Sequence, residues 1–438
     1  IFSQSKSEND YFTFKLSNQN SEIVSNFNFN NFNLDFLKLF YTNPILSTND
    51  LYISGNSLIS LSDANNFEKI IFDLFVSGEF SYKTFNGEEN LKLKNTKLFG
   101  ELVDEKIIIS FDLQHYSSIF SVGTTFNLKE RFKPDIFLKI DHINVENLLK
   151  IWPQNLSNSV YYWMNENSRG LINNFFTKIN FSSSNESFNI DKLDGKFDFK
   201  DVEIRYMESM PSIKMINGNA KINSDSIEFF VENGMSEKLK IVDGYINLFD
   251  LDTDIEKADI DLRIISENNN VVSYLDNSPI NEKNFTKLRK ISGDTDIKLY
   301  LDFPLLLTLQ AEEIKYNADV KIFNAQINNL IYNITLDKMM IDLKIGNEIV
   351  KYTGNAMIDN SVVNFKGDQK SSDDAINDEI KGKINLIGET VHKLTNNFFS
   401  DSYGTIPINF SYLSNENNEI KIDAVGELDD FFAKSDFL

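Results

Sequence analysis

The chain contains no cysteine, which excludes disulfides, thiolate metal centres and cysteine nucleophiles. Histidine is almost as scarce. His115, His142 and His392 each stand alone, and no HxxxH or HExxH spacing occurs, so a histidine-based zinc site has no support. Proline is rare, 7 in 438 residues, which argues against a loop-rich or polyproline chain. No run approaches the roughly 20 apolar residues that cross a bilayer as a helix, and no signal-peptide layout opens the sequence. The phosphate loops GxGxxG and GxxxxGK(S/T) are missing, as is the GxSxG nucleophile elbow, so nucleotide binding and serine hydrolysis lose their usual signatures. Basic residues are outnumbered, 43 Lys+Arg against 65 Asp+Glu, for a formal charge of −22. That lacks the cationic footprint of a nucleic-acid binder and reads as acidity that keeps an apolar protein soluble.

What the chain does have is apolar content in alternation. Hydrophobic residues make up 41%, with 38 Phe, enough for a sizeable buried surface. Ala258, Ile260, Leu262 and Ile264 alternate with Asp259, Asp261 and Arg263; Ile297, Leu299, Leu301 and Phe303 alternate with Lys298, Tyr300 and Asp302. The same period of two recurs at 197–200, 341–345 and 408–412. It marks strands with one apolar and one wet face. Asp194-Gly195, Asn217-Gly218, Asn233-Gly234, Asp243-Gly244, Ser292-Gly293 and Gly346-Asn347 punctuate the runs and predict tight hairpin turns. The polar stretch 366–379 predicts a surface loop. Helical signals are confined to 144–151, to 157–167 closed by Gly170, and to shorter stretches at 268–275, 284–290 and 390–399, with 31–40 ambiguous.

The fold class is therefore mainly β, a long antiparallel curled sheet with a few short helices. Roughly 20–25 strands at about 4.8 Å each would extend on the order of 100 Å, and so large a sheet twists and curls. Its apolar face either lines an open groove, which is a binding surface, or closes into a dry core.

Focal chemistry is absent from the pattern. Asp250-Leu251-Asp252-Thr253-Asp254 lacks the Gly and distal Glu of an EF-hand and reads as a solvated turn. Asp373-Asp374 and Asp429-Asp430 read as surface charge. No catalytic residue, metal ligand or cofactor is implied, and no enzyme is expected. Trp152 and Trp163, the two tryptophans, flank the main helical segments and read as anchors of a helical cap on the sheet.

The stretch 151–170 carries Trp152-Pro153, a short spacer, a Trp163-centred helix and Gly170. It resembles a segment of the AsmA-like, YhdP-type proteins. The likeness continues in order through Gly195–Phe199, Val202–Tyr206, Met210-Pro211, Asn217–Ala220, Val242–Ile246, Val271–Pro279 and Ile291–Leu305. It covers about 140–310 well and 315–430 more loosely. The resemblance implies a non-catalytic segment of a bridge-like lipid-transfer protein of Gram-negative bacteria. In that reading the chain is periplasmic and anchored to the inner membrane by a segment outside it. It would carry phospholipid along a β-groove between inner and outer membrane, serving outer-membrane biogenesis.

The expected organisation is an N-terminal β-rich groove segment at 1–140, a core at 141–310 with a helical insert at 144–168, and a truncated C-terminal groove segment at 311–438. The chain itself reads as an internal fragment. Candidate groove-lining residues are Ala258, Ile260, Leu262, Ile264, Ile297, Leu299, Leu301 and Phe303; Trp152, Pro153, Trp163 and Gly170 are structural. Phospholipid is the expected partner, with both membranes reached through other parts and no nucleic acid. A structural or adhesive extracytoplasmic β-protein with a closed dry core shares the alternation. A carbohydrate-active enzyme would need converging carboxylates, which no spacing singles out.

Overall fold

Alternating residues settle into strands when each strand finds a neighbour on both sides, and here they do so over most of the chain. In the computed structural model the described residues form a single antiparallel sheet of 23 strands that is not closed, with four short α-helices. The structure describes residues 10–19, 22–34, 46–62, 66–103, 105–127, 134–152, 158–184, 187–207, 210–251, 253, 255–276, 278, 288–306, 309, 313–328, 335–347, 349–372, 375–395, 398–399, 401–414 and 420–434.

The chain divides into two units, Ile1–Ile204 with Asn217–Ile227, and Arg205–Ile216 with Glu228–Leu438. The first holds β1 (Tyr11–Gln19), β2 (Glu22–Asn33), β3 (Leu46–Ser62), β4 (Phe67–Thr84), β5 (Gly87–Val103), β6 (Lys106–His115), β7 (Ser118–Asn127), β8 (Asp135–Asn144), β9 (Ser168–Ser184) and β10 (Ser187–Ile204). β11 (Ile213–Asn223) and β12 (Ile227–Ser236) span the division. The second unit continues with β13 (Leu239–Phe249), β14 (Lys257–Glu267), β15 (Ser292–Pro304), β16 (Lys315–Ile327), β17 (Leu336–Gly346) and β18 (Ile349–Ile358). β19 (Ser361–Ser372), β20 (Ala375–Ile387), β21 (Asp401–Ser414), β22 (Ile420–Gly426) and β23 (Phe431–Lys434) complete it. From β1 to β10 and from β13 to β22, strands consecutive in the chain pair antiparallel, and β23 pairs with β21.

Helices occupy one edge of each unit's sheet. α1 (Val145–Lys150) and α2 (Asn158–Asn167) connect β8 to β9, α3 (Asn268–Leu275) connects β14 to β15, and α4 (Gly388–Leu394) connects β20 to β21. In a meander β14 and β20 end at the same edge, so α3 and α4 share it. Val145 and Leu149 of α1 and Tyr161 of α2 bury against Phe120, Ile140, Ile143 and Ile172. Val271 of α3 and Val391 of α4 join Ile297, Val320, Ile322, Ile341 and Leu343 in the second unit's core. Glu146 in the first turn of α1 and Lys150 in its last suit the helix dipole.

Several expectations are corrected. Of the six turn dipeptides only Gly346-Asn347 ends a strand at a turn. Asp194-Gly195, Asn217-Gly218, Asn233-Gly234 and Asp243-Gly244 lie inside β10 to β13, and Ser292-Gly293 opens β15. Inside strands, glycine makes room for a neighbour: a β-carbon at Gly244 would stand 2.5 Å from the Leu262 Cδ2. The polar stretch 366–379 is a hairpin of β19 and β20, whose ladder runs from Val363↔Ile384 to Ser372↔Ala375. Gly170 does not cap α2, which ends at Asn167; it lies in β9 with φ 138°, and a β-carbon there would stand 2.7 Å from the Val202 Cα. Gly293 repeats this at φ 140°, 2.9 Å from the Ala325 Cα. The stretch 390–399 is helical as Gly388–Leu394, and 284–290 contributes a 3-10 turn at Leu288–Lys290, its earlier part lying outside the described residues. Asn31–Asn33 end β2, and 35–40 lie outside the described residues.

Candidate functional site

The strand registers stack apolar side chains into rows that cross many strands on one face. In the second unit one row runs Ile241, Ile264, Ile297, Val320, Leu343, Tyr352, Gly367, Ile380, Tyr412, Ile422, each the direct partner of the next. The opposite face carries Asp296, Lys321, Asp342, Thr353, Lys366, Lys381, Ser411 and Asp423 in one row. One face is thus apolar and the other charged across at least eight strands, and a slip of one residue would exchange them.

The eight groove-lining candidates fall on the apolar face as four direct cross-strand pairs: Ala258↔Phe303, Ile260↔Leu301, Leu262↔Leu299 and Ile264↔Ile297. Ala258 and Ile297 are buried and the other six half-buried. Across β15 to β18 burial is graded along the strands. At the helical edge Ala325, Met339 and Ala356 are at most 2% exposed. Toward the opposite edge Leu299, Ala318, Ile345 and Val350 are only half-buried. Across β15 to β18 the apolar face is thus buried at the helical edge and half-buried toward the other, whereas Ala258, Gln369 and Asp378 near that other edge are buried.

In the first unit a ten-strand row runs Phe14, Phe27, Ser57, Phe72, Gly100, Ile109, Thr124, Ile136, Ile179, Leu193. Phe12, Phe27, Phe29 and Phe32 lie together, with ring centroids 5.5–6.4 Å apart. None of these residues was among the candidates, although alternation in β1 and β2 carries the signal. Aromatic rings also cover glycines on the next strand. Phe72 lies over Gly100, Phe365 over Gly354, Phe410 over Gly382 and Tyr352 over Gly367. The ring fills the space the missing side chain leaves, which keeps the apolar surface continuous.

Hydrogen-bonded polar clusters lie on the apolar face in each unit. In the first unit Tyr116 donates its hydroxyl hydrogen bond to Glu89, and His115 Nε2 stands 3.8 Å from the same carboxylate. Burial lowers the His115 pKa, with Glu89 opposing, while burial and Glu89 push the Tyr116 phenol up to about 12. In the second unit Tyr352 donates to Asp378 Oδ1 at 2.7 Å. Burial raises the Tyr352 pKa, so the phenol stays protonated and remains a donor. Asp378 is 2% exposed and its direct partner Gln369 is 9% exposed.

Trp152 is half-buried against the α1–α2 cap, and its carbonyl accepts from the Phe85 N–H at 3.0 Å. Trp163 is 42% exposed on α2, and Pro153 lies outside the described residues. Asp250 pairs with Lys257 at 2.8 Å, while Asp252 and Asp254 lie outside the described residues. No cluster of metal-ligating side chains occurs among the described residues, and none of their helices is long and apolar enough to cross a membrane.

No curated protein and no solved structure matches the chain. A family model described as YhdP protein matches residues 74–425, which takes in β5 to β21 and both polar clusters. The chain belongs to the YhdP family.

Proposed function

We propose that this chain is a non-catalytic, lipid-binding segment that carries phospholipid acyl chains along the apolar face of its sheet, between inner and outer membrane. The observation that supports the reading is the row of mainly apolar residues across ten strands in each unit, which in β15 to β18 is buried at the helical edge and half-buried toward the other. Family membership supports it. Burying each CH₂ group gives about 0.8 kcal/mol, so an acyl chain gains on the order of 10 kcal/mol from apolar contact without any specific residue. Many similar weak contacts also let a chain slide, which suits a continuous row better than a focal pocket. Acyl chains lie on the apolar rows while headgroups face the edge opposite the helices. The setting is the periplasm, with an inner-membrane anchor supplied from outside these residues.

A structural β-protein with a closed core is the competing reading, and the half-buried Leu299, Ala318, Ile345 and Val350 speak against it. The test is native mass spectrometry with lipid extraction on the purified chain. Phospholipid should copurify, and Leu299→Asp with Leu301→Asp should abolish it while far-UV circular dichroism is retained. A folded wild-type chain that takes up no lipid, even from phospholipid vesicles, would favour the structural reading.

A further inference from the structure

We infer that Asp378 and Gln369 form a headgroup site for an amphiphile bearing a primary ammonium. The inference rests on the lipid-groove reading and adds a selectivity to it.

Both residues lie on the apolar face near the edge opposite α3 and α4, facing each other directly across β19 and β20. Around them the same rows hold Val350, Ile380 and Tyr412, half-buried. A carboxyl group in such surroundings is costly to desolvate unless it serves a partner. Tyr352 supplies one. Its ring crosses Gly367 on the intervening strand, and its hydroxyl donates to Asp378 at 2.7 Å. The phenol is a neutral donor, and a charged donor arriving with a ligand makes the stronger bond to a carboxylate.

Charge selects the kind of donor. Among the described residues, the inward positions of β14 to β21 hold no Lys or Arg that would compete for the Asp378 carboxylate. The carboxylate of Asp378 and the amide carbonyl of Gln369 are acceptors. An ammonium group offers three N–H donors and no acceptor, and it carries the complementary charge. Deeper along the same strands Phe365, Phe410, Val363 and Ile384 continue the apolar face toward the helical edge. That sets the ammonium at Asp378, near the edge opposite α3 and α4, with apolar surface beside it for an acyl chain. A quaternary ammonium has no N–H and cannot make the same bonds.

The test uses the whole chain, stripped of lipid. It is incubated with vesicles of equal phosphatidylethanolamine, phosphatidylcholine and phosphatidylglycerol with identical acyl chains, and recovered lipid is quantified by mass spectrometry. The expected result is about a ten-fold preference for phosphatidylethanolamine over phosphatidylcholine, the scale of one charge-assisted hydrogen bond. Asp378→Asn should bring the ratio near one while total bound lipid is kept. The wild-type ratio needs no variant, so a misfolded substitution leaves the proposal exposed to refutation. Lipid bound without head preference, or preference surviving in Asp378→Asn, overturns the headgroup site and leaves the groove standing. No lipid bound at all overturns both.

Discussion

The ring of Tyr352 lies over Gly367, its direct partner on the next strand, and reaches past it to hydrogen-bond Asp378. A β-carbon at 367 would stand 2.5 Å from the ring Cζ and 2.5 Å from the Glu379 carbonyl oxygen. Gly367→Ala must therefore move both ring and strand. The expected cost is about 1–3 kcal/mol, read as a lower urea midpoint at unchanged slope. A variant as stable as wild type would mean that the ring does not seat there.

Neighbouring residues on one strand test the register. Ile322 is 1% exposed on the apolar face, whereas Lys321 is exposed on the other. Ile322→Ala should cost about 2–4 kcal/mol, and Lys321→Ala should stay within about 0.5 kcal/mol. Equal effects would contradict the assignment of faces.

Acid sensitivity follows from Asp296, whose carboxylate makes a two-pronged contact with Arg263 at 3.1 and 2.8 Å. The Arg263 hydrogen bond, against some opposition from burial, holds its pKa below the ordinary 3.8. The folded state thus releases this proton more readily than the unfolded one. Its contribution is present above pH 3.8 and is lost as pH falls through the depressed value. Asp296→Asn should flatten that part of the stability profile, measured as urea midpoint against pH. An unchanged slope would show that the pair contributes nothing to folding.

His115 acts in a higher window. Burial lowers its pKa from 6.5, only partly offset by Glu89, so the unfolded chain takes up this proton first. The contribution is present above pH 6.5, falls as pH drops toward the folded value, and levels off below it. His115→Gln should remove this component from the same profile. Stability that declined just as steeply near pH 6 in the variant would assign the effect elsewhere.

The strands of β14 and β15 were legible because every second residue there is apolar and charged residues fill the gaps. Their eight candidates emerge as four cross-strand pairs. β19 and β20 were not, since Gly367, Gln369, Asp378 and Gly382 stand at inward positions where alternation expects apolar side chains. The result looked like a polar loop. What restores the face is tertiary: the rings of Tyr352 and Phe410 cover glycines on the next strand, a relation no local window contains. The Asn-Gly and Asp-Gly pairs misled for a related reason, because a glycine needed for close approach inside a strand looks the same as one needed for a turn. Asp378 could not be singled out from Asp373, Asp374 or Glu379, since only strand register tells inward from outward.

The most direct measurement places a photoreactive benzoylphenylalanine at Leu299 or at Tyr300, adjacent residues on opposite faces of β15, and illuminates the chain with phospholipid vesicles. A lipid-conducting apolar face predicts a phospholipid adduct at 299 and none at 300. Adducts at neither position, or equally at both, would contradict it.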